Sequence, residues 1–222
     1  MTKLDAARSL LLVLLTVVAV GAFPQAPQER ALSRAEALQA LASSDAATRA
    51  EAVVWIANRG AMADAGLLHE RLRDESGLVR SYAEQGLWLL WSRSGQIEID
   101  RLMVAGVEHM QAERLPQAIA AFSEVTRRKP DFAEGWNKRA TAHFLAGDYQ
   151  ASLADCAEVL KRNPEHFGAI SGYGQIYFNL EQYDKALEWW RRALEVNPNM
   201  LGVEFNIKIA EERLKQKRGQ KI

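Results

Sequence analysis

The stretch that decides the fold is residues 136–164, WNKRATAHFLAGDYQASLADCAEVLKRNP, read together with residues 170–198, ISGYGQIYFNLEQYDKALEWWRRALEVNP. Both end on Asn-Pro, and Pro130, Pro164 and Pro198 recur every 34 residues. Residue types between the prolines keep the same phase. Gly106, Ala140 and Gly174 are small; His109, His143 and Tyr177 are rings; Ala118, Ser152 and Ala186 are small again. Phe122, Cys156 and Trp190 follow, then Val125, Val159 and Ala193. A fixed period of this length is the mark of a repeat architecture. The chemistry implies two antiparallel helices per unit. Small residues on the first helix let the second come close, rings fill the space between pairs, and proline ends each unit because it cannot continue a helix. Turn-forming residues 146–149 (AGDY) and 180–184 (LEQYD) sit midway in their units. The fold predicted is an all-α helical-repeat solenoid.

On these residues the sequence resembles the tetratricopeptide repeat family, whose units carry an aromatic, a small residue, an aromatic, an Ala, an aromatic and a Pro. The middle unit shows Trp136, Ala140, His143, Ser152, Cys156 and Pro164. The last has Ile170, Gly174, Tyr177, Ala186, Trp190 and Pro198, and the first has Leu102, Gly106, His109, Ala118, Phe122 and Pro130. Three such units are expected over residues 99–200. Trp136 is expected to be wedged between helices, so that truncating it would cost ~3–5 kcal/mol. Residues 201–222 grow increasingly charged and read as the helix that closes the stack, followed by a basic tail. Lys215, Lys217, Arg218 and Lys221 of that tail fit the negative end of the last helix better than a phosphate or lipid site.

Residues 33–95 have a fainter period of 31, which relates Leu41 to Leu72, Arg49 to Arg80 and Ala52 to Ala83. Ser33 and Glu36 form a capping box that opens the first helix. This segment resembles two HEAT-type repeats of the short form described around phycobilin lyases, and that kinship is the sole hint of a lyase-like or chaperone activity. Residues 86–91 (GLWLLW) are apolar on every side, as expected at a junction with the tetratricopeptide units packed against it.

The first residues follow a different logic. Lys3 and Arg8 precede the uncharged run of residues 10–20, and small residues follow at 20–22. Basic, apolar, small is the order of a secretory signal. The run is shorter than the ~20 residues a spanning helix needs. Residues 1–22 are therefore expected to be a signal peptide and residues 23–32 a linker. The destination is the periplasm if the cell is Gram-negative, or the inner membrane if the segment stays attached as a tether.

Charge and motifs narrow the function. The 222 residues hold 28 basic and 28 acidic side chains, which gives no bias toward nucleic acid. Cys156 is the one cysteine, so no intramolecular disulfide can form, and its buried repeat slot makes an inert packing role the expectation. His109 and His143 lie one repeat apart and read as packing rings, because two imidazoles without a carboxylate make a poor metal set. His69 and His166 read as surface or turn residues. Gly172-Tyr173-Gly174 lies inside a helix and lacks the lysine and third glycine of a phosphate loop. There is no catalytic constellation, and neither an enzyme, a metal nor a cofactor is expected.

What remains is a partner surface. The resemblance implies an inner wall lined by the first helix of each unit: Met103, Val107 and Met110, then Asn137, Thr141 and Phe144, then Ser171, Gln175 and Phe178. The closing helix adds Phe205 and Ile209. Such a wall is apolar and neutral and suits a protein or peptide with apolar anchors. Family units that grip acidic C-terminal tails present Lys, Asn and Arg there, whereas Met103, Val107, Thr141, Ser171 and Gln175 stand here, so capture of an acidic tail is not expected. The function expected is an exported adaptor or scaffold. The alternative is an envelope assembly factor that docks through the HEAT-like face.

Overall fold

The computed structural model describes residues 32–219. The expected signal peptide, nearly all of the expected linker and Lys221 fall outside them. The described residues form eleven α-helices and one short 3-10 turn, without a strand. The chain divides into two compact units, with the boundary between Leu87 and Trp88.

In the first unit, α1 (Arg34–Ala40) and α2 (Ala46–Arg59) form one hairpin. A 3-10 turn (Met62–Asp64) leads to α3 (Ala65–Arg71) and α4 (Gly77–Trp91), whose last turn, from Trp88 on, belongs to the second unit. Each helix of the second pair starts 31 residues after its counterpart, so the faint sequence period is a geometric one. The capping box at Ser33 is present: Ser33 Oγ accepts from Glu36 N–H at 3.3 Å, and Glu36 Oε2 accepts from Ser33 N–H at 2.8 Å. Arg49 Nη1 donates to the carbonyls of Ser43 and Ser44, and Arg80 Nη1 donates to those of Asp74 and Glu75, the equivalent pair. Arg49 also pairs in bidentate fashion with buried Asp74 at 2.8 Å. That guanidinium outweighs burial and holds the Asp74 carboxyl below its ordinary range. Small residues let the helices close up: Ala37, Ala52, Ala57 and Ala83 are buried among Val53, Leu68, Leu72 and Leu87.

The second unit repeats a hairpin three times: α5 (Ile97–Gln111) with α6 (Leu115–Arg128), α7 (Ala133–Leu145) with α8 (Tyr149–Arg162), and α9 (Phe167–Asn179) with α10 (Tyr183–Val196). α11 (Leu201–Gly219) closes the series on α10. The predicted small-against-ring pairing is met at van der Waals contact. A Cβ added to Gly106 would lie 2.4 Å from Phe122, and one added to Gly174 would lie 2.4 Å from Trp190. The middle unit substitutes chemistry for the ring: Ser152 Oγ donates to Ala140 O at 2.8 Å, and Asp155 takes Arg139 in a bidentate pair at 2.7 and 2.8 Å.

Each hairpin turns through a residue of positive φ: Glu113 (56°), Gly147 (81°) and Glu181 (57°), again 34 apart. Only the middle unit places a glycine there, where an L side chain is strained. Trp136 departs from expectation. It is half-buried rather than wedged inside, its indole N–H donates to Pro130 O at 2.9 Å, and its ring lies between the guanidinium groups of Arg139 and Arg162 at 4.8 and 4.7 Å. The fully buried tryptophan is Trp190. Of the tail residues, Lys217 Nζ donates to Glu181 O and sits over the Tyr183 ring, while Arg218 pairs with Asp184. They pin α11 to the α9–α10 turn.

Candidate partner-binding surface

A stack of hairpins curves toward the side on which its helices crowd. α5 packs on α7 and α7 on α9, the side on which the inner wall is expected.

The expected wall residues fall into three groups. Met103 and Met110 are buried in a cluster with Phe122, Val125, Phe132 and Ala142, so they hold α5 to its neighbours more than they face a guest. Phe144 is buried against Tyr149 at 5.6 Å between ring centres, and Phe178 packs on Trp190 and Tyr183. Asn137, Ser171 and Gln175 are buried polar groups with local partners: Asn137 Nδ2 donates to Glu134, Ser171 O accepts from Trp190 Nε1, and Gln175 Nε2 donates to Asn179. Val107, Thr141 and Ile209 are half-buried, and Phe205 is 60% exposed. The accessible wall is thus smaller than the eleven expected positions, and Thr141, Ile209 and Phe205 are its open part.

Sequence reasoning missed what sits at one end of that wall. His166, expected as a surface or turn residue, is wholly buried. Its Nδ1 accepts the Ala169 N–H at 3.1 Å and so caps α9. That leaves Nε2 to carry the hydrogen donated to Glu134 Oε2 at 3.0 Å. Glu134 is itself buried. Burial alone would push its carboxyl up, but the Lys138 ammonium and the His166 N–H more than offset this and hold it at about 2. Trp91 stacks on His166 at 4.3 Å and 23°, and Trp88 meets both His166 and Phe167 edge-on at 5.4 and 5.3 Å. Gly168 makes room: a Cβ there would lie 2.4 Å from Trp88 Cη2. The signal for this cluster was in the sequence as GLWLLW and Gly168, but only the fold brings them together. His69 is buried as well, contrary to expectation.

Burial, helped by the Asp155 charge, pushes the Cys156 thiol up to about 12, far from the thiolate a nucleophile needs. Among the described residues no three His, Cys, Asp or Glu side chains form a metal-binding group. No helix among them is long and apolar enough to cross a membrane.

Helix hairpins in 34-residue phase, stacked first helix on first helix, define a helical-repeat solenoid unit. Residues 103–165 and 174–200 match the tetratricopeptide repeat, and the chain carries these repeats. It is 35% identical over 126 residues, 57% of this chain and 62% of the other, to a TPR repeat-containing protein of Rhizobium etli. It is 27% identical over 100 residues, 45% of this chain and 18% of the other, to Hsp70-Hsp90 organizing protein 1 of Glycine max. The chain thus matches less than two thirds of either relative's length. The first TPR of Spaghetti (RPAP3), solved with the HSP90 peptide SRMEEVD, superposes with a TM-score of 0.51 at 20% identity over 53% of this chain and 93% of that one.

Proposed function

We propose that this protein is an exported adaptor that holds a protein or peptide partner against the inner wall of its tetratricopeptide repeats. The carrying observation is the stack itself. Three hairpins stack first helix on first helix, and a repeat unit of the same fold has been solved with a peptide bound. The open positions Thr141, Ile209 and Phe205 suit an apolar anchor. The cationic side chains of α7 are already engaged, Arg139 by Asp155 and Lys138 by Glu134, so the wall does not favour an acidic tail such as SRMEEVD. Export is read from residues 1–22, and the hairpins of residues 33–95 are read as HEAT-like repeats.

A test follows from the geometry. Phe144 is buried and Phe178 is half-buried with its ring packed on Trp190 and Tyr183, so charge at either would disturb packing; Phe205 and Thr141 are the positions to change. In affinity capture from the producing cell, Phe205→Glu combined with Thr141→Arg should abolish partner recovery with helical circular dichroism intact. Unchanged recovery overturns the wall. Mass spectrometry of the mature protein should find the N-terminus near residue 23, and an intact Met1 overturns a cleaved signal.

One observation favours the assembly-factor alternative. Met62 and Leu78 of the first unit are each 50% exposed, and exposed apolar side chains of that size are candidate docking contacts. Met62→Glu with Leu78→Glu should leave partner recovery unchanged under the groove reading and abolish it under this one.

A further inference from the structure

The cluster at the start of α9 is more than a filled gap. It has the parts of a recognition site for indole rings: an imidazole for stacking, a glycine whose missing Cβ admits a ring edge, and a buried carboxylate that holds the imidazole. It also lies on the wall already described. Glu134 is one helical turn before Asn137, whose Nδ2 donates to it at 3.0 Å, and Gly168 is one turn before Ser171. The occupant is the chain's own last turn of α4, carrying Trp88 and Trp91.

We infer that this Trp88–Trp91 turn is an intramolecular ligand of the tetratricopeptide wall, and that the His166–Phe167–Gly168 site takes tryptophan-bearing helical segments. The inference rests on the wall being the partner surface and names its regulation: a partner that uses this end must carry an aromatic anchor and displace the turn.

The physics favours occupation by the chain's own segment. A tethered ligand acts at an effective concentration on the order of millimolar, so a free ligand of modest affinity competes poorly. Trp91 is buried and stacked on one face by His166. His166 cannot swing away without uncapping α9 at Ala169 and costing the buried Glu134 one of its donors. The site is therefore preorganised whether or not the turn is seated, as a reversible latch requires.

The probe is a fluorescein-labelled peptide of residues 85–95, QGLWLLWSRSG, added to the full chain. The double variant Trp88→Ala, Trp91→Ala vacates the site and should bind this peptide roughly tenfold or more tightly than the wild type, because the internal competitor is gone. Adding Gly168→Ala should remove that binding. Alanine is the better helix former, so the third substitution does not lower the helix propensity of α9. No peptide binding to the double variant, or equal binding to all three chains, overturns the latch.

A second measurement guards against a damaged fold. In the single variant Gly168→Ala, with both tryptophans present, backbone amides of residues 88–91 should exchange about tenfold faster than in the wild type, while those of α6 and α8 keep their rates. Unchanged exchange at residues 88–91 overturns the proposal. The outcomes separate the two levels. Missing peptide binding removes the latch alone, whereas undiminished capture by the Phe205→Glu, Thr141→Arg chain removes the wall.

Discussion

The two halves of this protein build helix hairpins by different means. In residues 33–87 the helices are brought together by alanines, and the corners are tied by arginine: Arg49 and Arg80 each gather two carbonyls of the preceding turn, and Arg49 adds the buried Asp74. In residues 97–200 the helices are keyed by rings pressed onto glycine, Phe122 on Gly106 and Trp190 on Gly174. The first device is electrostatic and answers to pH and to loss of one charged partner. The second is steric and answers to volume. One topology thus has two separable failure modes.

The largest effect should come from volume. Trp190→Ala empties a wholly buried site on Gly174 and should cost ~3–5 kcal/mol, read as a shift in urea midpoint. Trp136→Ala removes a half-buried ring held by two guanidinium groups and one hydrogen bond, and should cost only ~1–2 kcal/mol. Equal losses for the two tryptophans would show that ring-on-glycine keying is not what holds these hairpins.

Charge comes next. Arg49→Ala leaves Asp74 buried without its bidentate partner, whereas Arg80→Ala breaks bonds to the carbonyls of Asp74 and Glu75. The thermal midpoint should fall further for Arg49→Ala, and the reverse order would mean that the carboxylate pair is dispensable. Acid provides an independent handle. The Glu134 carboxyl is held at about 2 against an ordinary 4.5, so it stabilises the fold fully above 4.5 and loses that contribution as pH falls toward 2. Glu134→Gln should therefore flatten the stability curve over that window. A curve parallel to the wild type's would contradict the buried pair.

The smallest effect has the opposite sign. Glu113 holds φ at 56° in the turn where the middle unit has Gly147. Glu113→Gly should relieve that strain and raise stability by about 1 kcal/mol. A loss of stability would mean that the turn depends on the glutamate side chain.

These differences also explain what could be read in the sequence. The ring-and-glycine hairpins were legible because steric keying leaves residue types at fixed spacing, and the 31-residue period was legible through Arg49 and Arg80, which do the same task twice. Trp136 misled because its position in the pattern suggested a wedge, while burial depends on neighbours such as Arg162, which comes from a different helix. His166 was hidden for a related reason. Its partners Glu134 and Trp91 are far away in the chain, so no local pattern of hydropathy announces a buried imidazole. The wall was legible as a set of positions but not as an exposed surface, since Met103, Met110 and Phe144 spend their side chains on packing between hairpins.

The central claim is that the first helices, not the second, meet the partner. A photoactivatable phenylalanine analogue placed at Thr141 on α7, and separately at exposed Glu188 on α10, tests this in the producing cell. A discrete adduct from position 141 and none from 188 is the predicted outcome. An adduct from 188 alone would contradict the account.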